Sequence, residues 1–162
     1  MIDMKRIHPD AIPRALELAE RYRLLNQPEQ AASICYDVLA VDPENSSAVR
    51  SLLLAVTEQF GQRRGTRLEE AERLAARLPS EFEQKYYAGV AYERWARAKL
   101  QSGEHAAMSA SWLRKAMDFY ETAEFQSPPG NDDAILRWNA CARLLQHLPE
   151  REDAEHVAMF GD

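Results

Sequence analysis

Residues 18–43 read LAERYRLLNQPEQAASICYDVLAVDP. Leu18, Ala19 and Tyr22 recur at three- and four-residue spacing, Ala31, Cys35 and Val38 repeat that spacing after Pro28-Glu29, and Asp42-Pro43 closes the run. Apolar residues at this period share one face of an α-helix. Proline starts a helix well but is disfavoured inside one. The stretch therefore reads as two short helices joined by a tight turn, with small Ala19 allowing the neighbouring helix to approach. A tyrosine and a few aliphatics bury only a few kcal/mol, at roughly 25 cal/mol per Å². That does not offset the ordering of a whole helix pair. The pair has to stack on others.

Prolines divide the rest of the chain in the same way. Leu78-Pro79, Ser127-Pro128-Pro129 and Leu148-Pro149 each follow a helical pattern. Seven helices result, at about 11–25, 28–41, 45–60, 66–77, 80–101, 104–126 and 131–147. Thr66 with Glu69 reads as a capping box at the fourth. Gly103 breaks the apolar pattern between the fifth and sixth, and Pro129-Gly130-Asn131-Asp132 reads as a turn into an Asn or Asp cap.

The first unit, about 12–45, resembles the tetratricopeptide family, whose repeat is roughly 34 residues of helix-turn-helix. A second unit matches in outline, through Val49, Leu52, Leu53 and Val56, then Leu68, Ala71, Leu74 and Ala75. A third keeps Gly89 and Tyr92 in one helix and Ala116, Tyr120, Ala123 and Pro128 in the other, with both helices lengthened. The resemblance implies an all-α, right-handed solenoid of antiparallel helix pairs, about three repeats and a capping seventh helix, over residues 1–148. It implies a protein-interaction adaptor without catalytic activity, its groove lined by the first helix of each pair. Two other readings stay open: a cargo chaperone like those of bacterial secretion systems, and a self-assembling protein that dimerises through helices five and six.

Composition is consistent with one soluble domain. The chain has 162 residues, 46% hydrophobic and 28% charged, which argues against disorder. No apolar run is long enough to span a bilayer, and Met1 to Pro9 has no signal-peptide core. Cys35 and Cys141 lie far apart in apolar periodic stretches, which suggests core thiols and a cytoplasmic location. Of the formal charge of −6, most lies in the tail 149–162, where Glu150, Glu152, Asp153, Glu155 and Asp162 face only Arg151. Overall acidity argues against nucleic-acid binding. Arg63, Arg64 and Arg67 are the local exception.

The face that the resemblance turns toward a partner carries Glu20 and Arg23 on helix one, Arg50, Leu54 and Glu58 on helix three, and Tyr86, Val90, Glu93, Arg94 and Arg97 on helix five. Asn139 and Arg143 follow on helix seven. Arginine recurs once per helix at Arg23, Arg50, Arg94 and Arg143. Its planar fork suits carboxylates, so the expected partner is a peptide or protein segment with acidic groups. The competing reading is a solvated face on which Glu20, Glu58 and Glu93 pair with the arginines. The acidic tail is a candidate for occupying this groove in cis. Some family members clamp a chaperone's C-terminal carboxylate, but the matching places here are Leu16, Glu20, Ser51, Glu83 and Tyr87, which lack that chemistry.

Helix five is apolar on both sides, which places it centrally. For its aromatics and those of helix six, core is the favoured reading for Tyr92, Trp95, Trp112 and Tyr120. Phe82 and Tyr86 divide evenly between core and exposed anchor. No cofactor motif is present: there is no P-loop, nucleophile elbow or dinucleotide glycine pattern. His8, His105, His147 and His156 are scattered, so no metal site is expected.

Overall fold

The computed structural model describes residues 1–103 and 106–149. Among these the only regular elements are helices. A short 3₁₀ turn at Pro9–Ala11 leads into α1 (Ile12–Leu24), α2 (Pro28–Val41), α3 (Ser46–Glu58), α4 (Leu68–Ala76), α5 (Glu81–Gln101), α6 (Ala106–Glu124) and α7 (Asp133–Leu145). Each helix packs on the next in chain order, and α3 also meets both α1 and α5.

The joints follow from local chemistry. α1 ends where Asn26 adopts φ +58°, and the Gln27 amide donates to the Tyr22 carbonyl at 2.8 Å. A left-handed residue closes a helix this way, and Asn tolerates it best after Gly. Pro28 then opens α2 at a position whose missing N–H costs nothing. The Asn45 side chain accepts from the Ala48 amide at 2.9 Å and caps α3. Ser80 caps α5, accepting from the Glu83 amide at 3.1 Å. Before α7 the Asn131 side chain accepts from the Asp133 amide at 3.0 Å, one place earlier than a cap proper.

The capping box expected at Thr66 and Glu69 does not form. Arg67 occupies the cap position of α4 without a side-chain bond. The Thr66 hydroxyl instead donates to the Val56 carbonyl. That carbonyl belongs to the last turn of α3, where it also accepts from the Gln59 amide at 3.1 Å in the tightened helix end. The segment between α3 and α4 folds back over that end, and Thr66 is used there. α4 consequently starts two residues later than expected.

The core falls into two connected clusters. One gathers Ala19, Ala31, Cys35, Val49, Leu53, Val56, Ala71 and Leu74 from α1 to α4, with Ala88 and Ala91 of α5. The other gathers Val90, Ala96, Leu113, Ala116, Tyr120, Ala123, Ala134 and Cys141 from α5 to α7. α5 contributes to both, as its two apolar sides require. Gly89 marks the closest approach between α5 and α6. A Cβ placed there would lie 2.6–2.7 Å from the Tyr120 ring. Glycine is needed for that contact, not for its backbone freedom. Cys35 and Cys141 are free and buried. No described helix is long and apolar enough to cross a membrane.

Candidate functional site

Arg23 of α1, Arg50 of α3 and Arg94 of α5 are engaged within the fold. Arg23 reaches from α1 to Glu58 on α3 through Nη2 at 2.6 Å and Nε at 3.0 Å, and also holds Glu20 at 2.9 Å. Arg94 of α5 approaches the same Glu58 at 3.6 Å and donates to the Thr57 hydroxyl at 2.7 Å. Its weaker bond to the Leu54 carbonyl spans 3.4 Å. Arg50 of α3 holds Glu83 of α5 at 2.5 Å. One carboxylate, Glu58, thus serves two arginines from two different helices. Burial works against the Arg23 charge, yet hydrogen bonds and attraction from Glu58 keep its pKa above the ordinary value. Burial dominates at Arg94 and lowers its pKa despite Glu58.

A second cluster lies deeper, between α5, α6 and α7. Glu93 is 2% exposed. It accepts from the Tyr120 hydroxyl at 2.6 Å, from Arg97 at 3.1 Å and from Arg137 at 3.4 Å. A buried carboxylate without such donors would be strongly destabilising. Burial, then the charge of Glu93, pushes the Tyr120 phenol far above its usual range. The same two causes push the Cys141 thiol up to about 12. Neither group is a nucleophile under these conditions, because the thiolate or phenolate is the reactive form.

Several expected groove residues therefore do not face outward. Val90 and Glu93 are buried, contrary to their expected placement on an open face. Each lies on the side of α5 that meets α6 and α7. Tyr86 is half-buried among Phe82, Tyr87 and Tyr120, with ring centroids 5.6, 5.0 and 5.9 Å away. Asn139 is half-buried, and Arg143 is exposed on α7 without joining either ion cluster. Arg137 was absent from the expected set, although it is the α7 arginine that meets α5. The acidic tail from Glu150 to Asp162, with His105 and His156, lies outside the described residues.

Beside the ion pairs, a cleft of about 310 Å³ opens between α3 and α5. Thr57, Glu58, Phe60, Arg94, Arg97, Ala98 and Gln101 line it. It brings together three expected residues, Glu58, Arg94 and Arg97, with an aromatic floor and an exposed Gln101 rim. A larger hollow of about 690 Å³ lies between α2, α3 and α4, with Tyr36, Leu39, Leu52, Val56, Arg73 and Leu74 in its wall. Among the described residues no cluster of three or more His, Cys, Asp or Glu is placed to hold a metal ion.

No protein-family model matches the chain, and no curated protein or solved structure is significantly similar to it.

Proposed function

We propose that this chain is a protein-interaction adaptor, built as a tetratricopeptide-like right-handed solenoid and without catalytic activity. Its ligand is a peptide or protein segment. The reading rests on one observation: the first helices of successive pairs are joined by ion pairs across one face, beside the cleft of Thr57, Glu58, Phe60, Arg94, Arg97, Ala98 and Gln101. Side chains tied to each other on rigid helices lose little freedom when a ligand arrives. The arginines are already neutralised by Glu58 and Glu83, so a carboxylate ligand has to exchange with these partners. That favours a segment with both an apolar anchor for Phe60 and Ala98 and a polar group for Arg97 or Gln101.

The test is capture from a host lysate with the wild-type chain and with Gln101→Trp. Gln101 is exposed at the end of α5, so the substitution fills the cleft and leaves the ion pairs intact. A partner held by the wild type and lost by Gln101→Trp supports the reading. A partner held equally by both moves the site elsewhere. No partner with either removes the support for an adaptor.

A second reading, self-assembly, uses the aromatic pair α5 and α6 as the dimer face, where Met108 of α6 is 50% exposed. Sedimentation over a wide concentration range decides it.

A further inference from the structure

α2 and α4 both pack on α3 but barely on each other. The hollow of about 690 Å³ lies in that gap, and its size falls in the range of about 300–1,000 Å³ that small ligands occupy. Its floor is apolar. Leu52 and Val56, one turn apart on α3, lie beneath it, and Leu74 of α4 with Leu39 and Ala40 of α2 form its walls. The helix backbone behind these side chains is spent on its own hydrogen bonds. A peptide laid along such a floor would leave its N–H and C=O groups unpaired, which is costly. An alkyl chain has no such groups to satisfy.

The polar side chains lining the hollow are Tyr36, Glu70, Arg73 and Arg77, and they are ordered along it. Glu70, Arg73, Leu74 and Arg77 recur at three- and four-residue spacing, so they share one face of α4. Arg77 donates to the Pro43 carbonyl at 3.0 Å, across a separation of 34 residues. Tyr36 and Glu70 have the same separation, and the Glu70 charge adds to burial in raising the Tyr36 phenol. α2 and α4 therefore run in the same direction, with Tyr36 and Glu70 at one end of the hollow and Arg77 at the other. About two helical turns, roughly 10 Å, separate Glu70 from Arg77.

Charge is answered unequally along this line. Arg73 makes no hydrogen bond or ion pair among the described residues. Arg77 meets a neutral carbonyl and no carboxylate. Arg23, Arg50 and Arg94, by contrast, each meet a carboxylate on another helix. The hollow thus has an uncompensated cationic end beside an apolar floor.

We propose that this hollow binds an amphiphile with a medium-length alkyl or acyl chain and a single anionic head, a medium-chain carboxylate being the simplest. The chain lies over Leu52, Val56 and Leu74. The head meets Arg73 and Arg77, whose planar forks suit a carboxylate. Glu70, at the far end, turns away a second anionic group. The site shares no residue with the cleft between α3 and α5 on which the adaptor reading rests.

Calorimetric titration of the full chain with decanoate, hexanoate, decanedioate and decanol, each below its micelle-forming concentration, tests this. One decanoate per chain is expected. Hexanoate should bind about tenfold more weakly, because full burial is worth about fourfold per methylene and an open hollow covers about half of each. Decanol should also bind at least about tenfold more weakly, through loss of the charge-assisted hydrogen bonds. Decanedioate should bind more weakly than decanoate, because its second carboxylate meets Glu70. Arg73→Gln should weaken decanoate about tenfold and leave decanol unchanged; Arg73 is exposed and holds no other residue, so the fold is kept. Ala40→Trp, also at an exposed position, should fill the hollow and abolish binding. Gln101→Trp, in the other cleft, should bind decanoate as the wild type does, which separates this site from that of the adaptor reading. No binding of decanoate, decanol bound as tightly as decanoate, or binding undiminished by Ala40→Trp or by Arg73→Gln overturns the proposal.

Discussion

Tyr120→Phe is the sharpest probe of the deeper cluster. The substitution removes one oxygen and keeps the ring that Gly89 requires. That oxygen donates to Glu93 Oε2 at 2.6 Å, inside a site where Glu93 is 2% exposed. Water cannot replace the lost donor without opening α5 from α6. Arg137 reaches the same oxygen at 3.4 Å, too far to compensate fully. A hydrogen bond to a charged group contributes about 1.5–3 kcal/mol, so a loss of about 2 kcal/mol is expected. With a urea m-value of about 2 kcal/mol/M, the midpoint should fall by about 1 M with m unchanged. The same change in a Glu93→Gln background should cost clearly less, because the charge that strengthened the bond is gone. A loss below about 0.5 kcal/mol in the wild-type background, near the noise of an ordinary surface substitution, would refute the idea that Glu93 is sealed from solvent.

Gly89→Ala should destabilise by about 1–3 kcal/mol, the usual range for overpacking, since the new methyl meets the Tyr120 ring at 2.6 Å; thermal unfolding measures it, and a neutral result means α5 and α6 can separate freely. Glu58→Gln should cost more than Arg23→Gln, because it weakens the partners of both Arg23 and Arg94; paired urea titrations rank them, and the reverse order would mean Arg94 is held by Thr57 alone. Burial and the bond to Glu72 raise the Tyr92 phenol from 10.0 to about 12. Its contribution to stability is therefore complete below pH 10 and lost as pH rises toward 12, so unfolding monitored by circular dichroism should set in over that window, with tyrosinate absorbance rising late. Cys35 and Cys141, raised by burial to about 11 and about 12, should react with a thiol reagent at pH 8 only as fast as the chain opens; rapid labelling of either would contradict its burial.

The helix order was legible because proline, glycine and apolar spacing act locally. Pro28 and Gly103 stand where α2 begins and α5 has ended, and Ala19, Cys35 and Val38 are wholly buried as their shared face requires. Gly89 against Tyr120 was not legible, since no local rule links residues 31 places apart. The Thr66–Glu69 box failed for the opposite reason. Its residues suit a cap as well as Ser80 and Glu83 do, but the buried end of α3 claimed the Thr66 hydroxyl first. The ion pairs left a signal that helix-by-helix reading overlooks. Arg23 and Glu58 are 35 residues apart, and Arg50 and Glu83 are 33 apart. α1, α3 and α5 begin at residues 12, 46 and 81, so they start 46 − 12 = 34 and 81 − 46 = 35 residues apart, and opposite charges at that separation fall on neighbouring odd-numbered helices. Glu93 and Arg137, 44 apart, escape that rule because α5 and α6 are lengthened.

The pairing also decides what the arginines can do for a ligand. A free arginine row would attract any acidic segment, through long-range charge and with little discrimination. On the proposed adaptor reading, a row already paired with Glu20, Glu58 and Glu83 attracts little by net charge, so a ligand would have to replace particular bonds in a particular geometry. Mixed charge of this kind contributes more to selectivity than to affinity. It also stiffens the face, since Arg23–Glu58 and Arg50–Glu83 each cross from one helix pair to the next. The lysines have the complementary character. Lys85 and Lys115 rest on a ring rather than on a carboxylate, and a cation held that way can accept an anion without first releasing one. The arginine face and the lysine–aromatic seam are therefore different surfaces, and α5 carries residues of both.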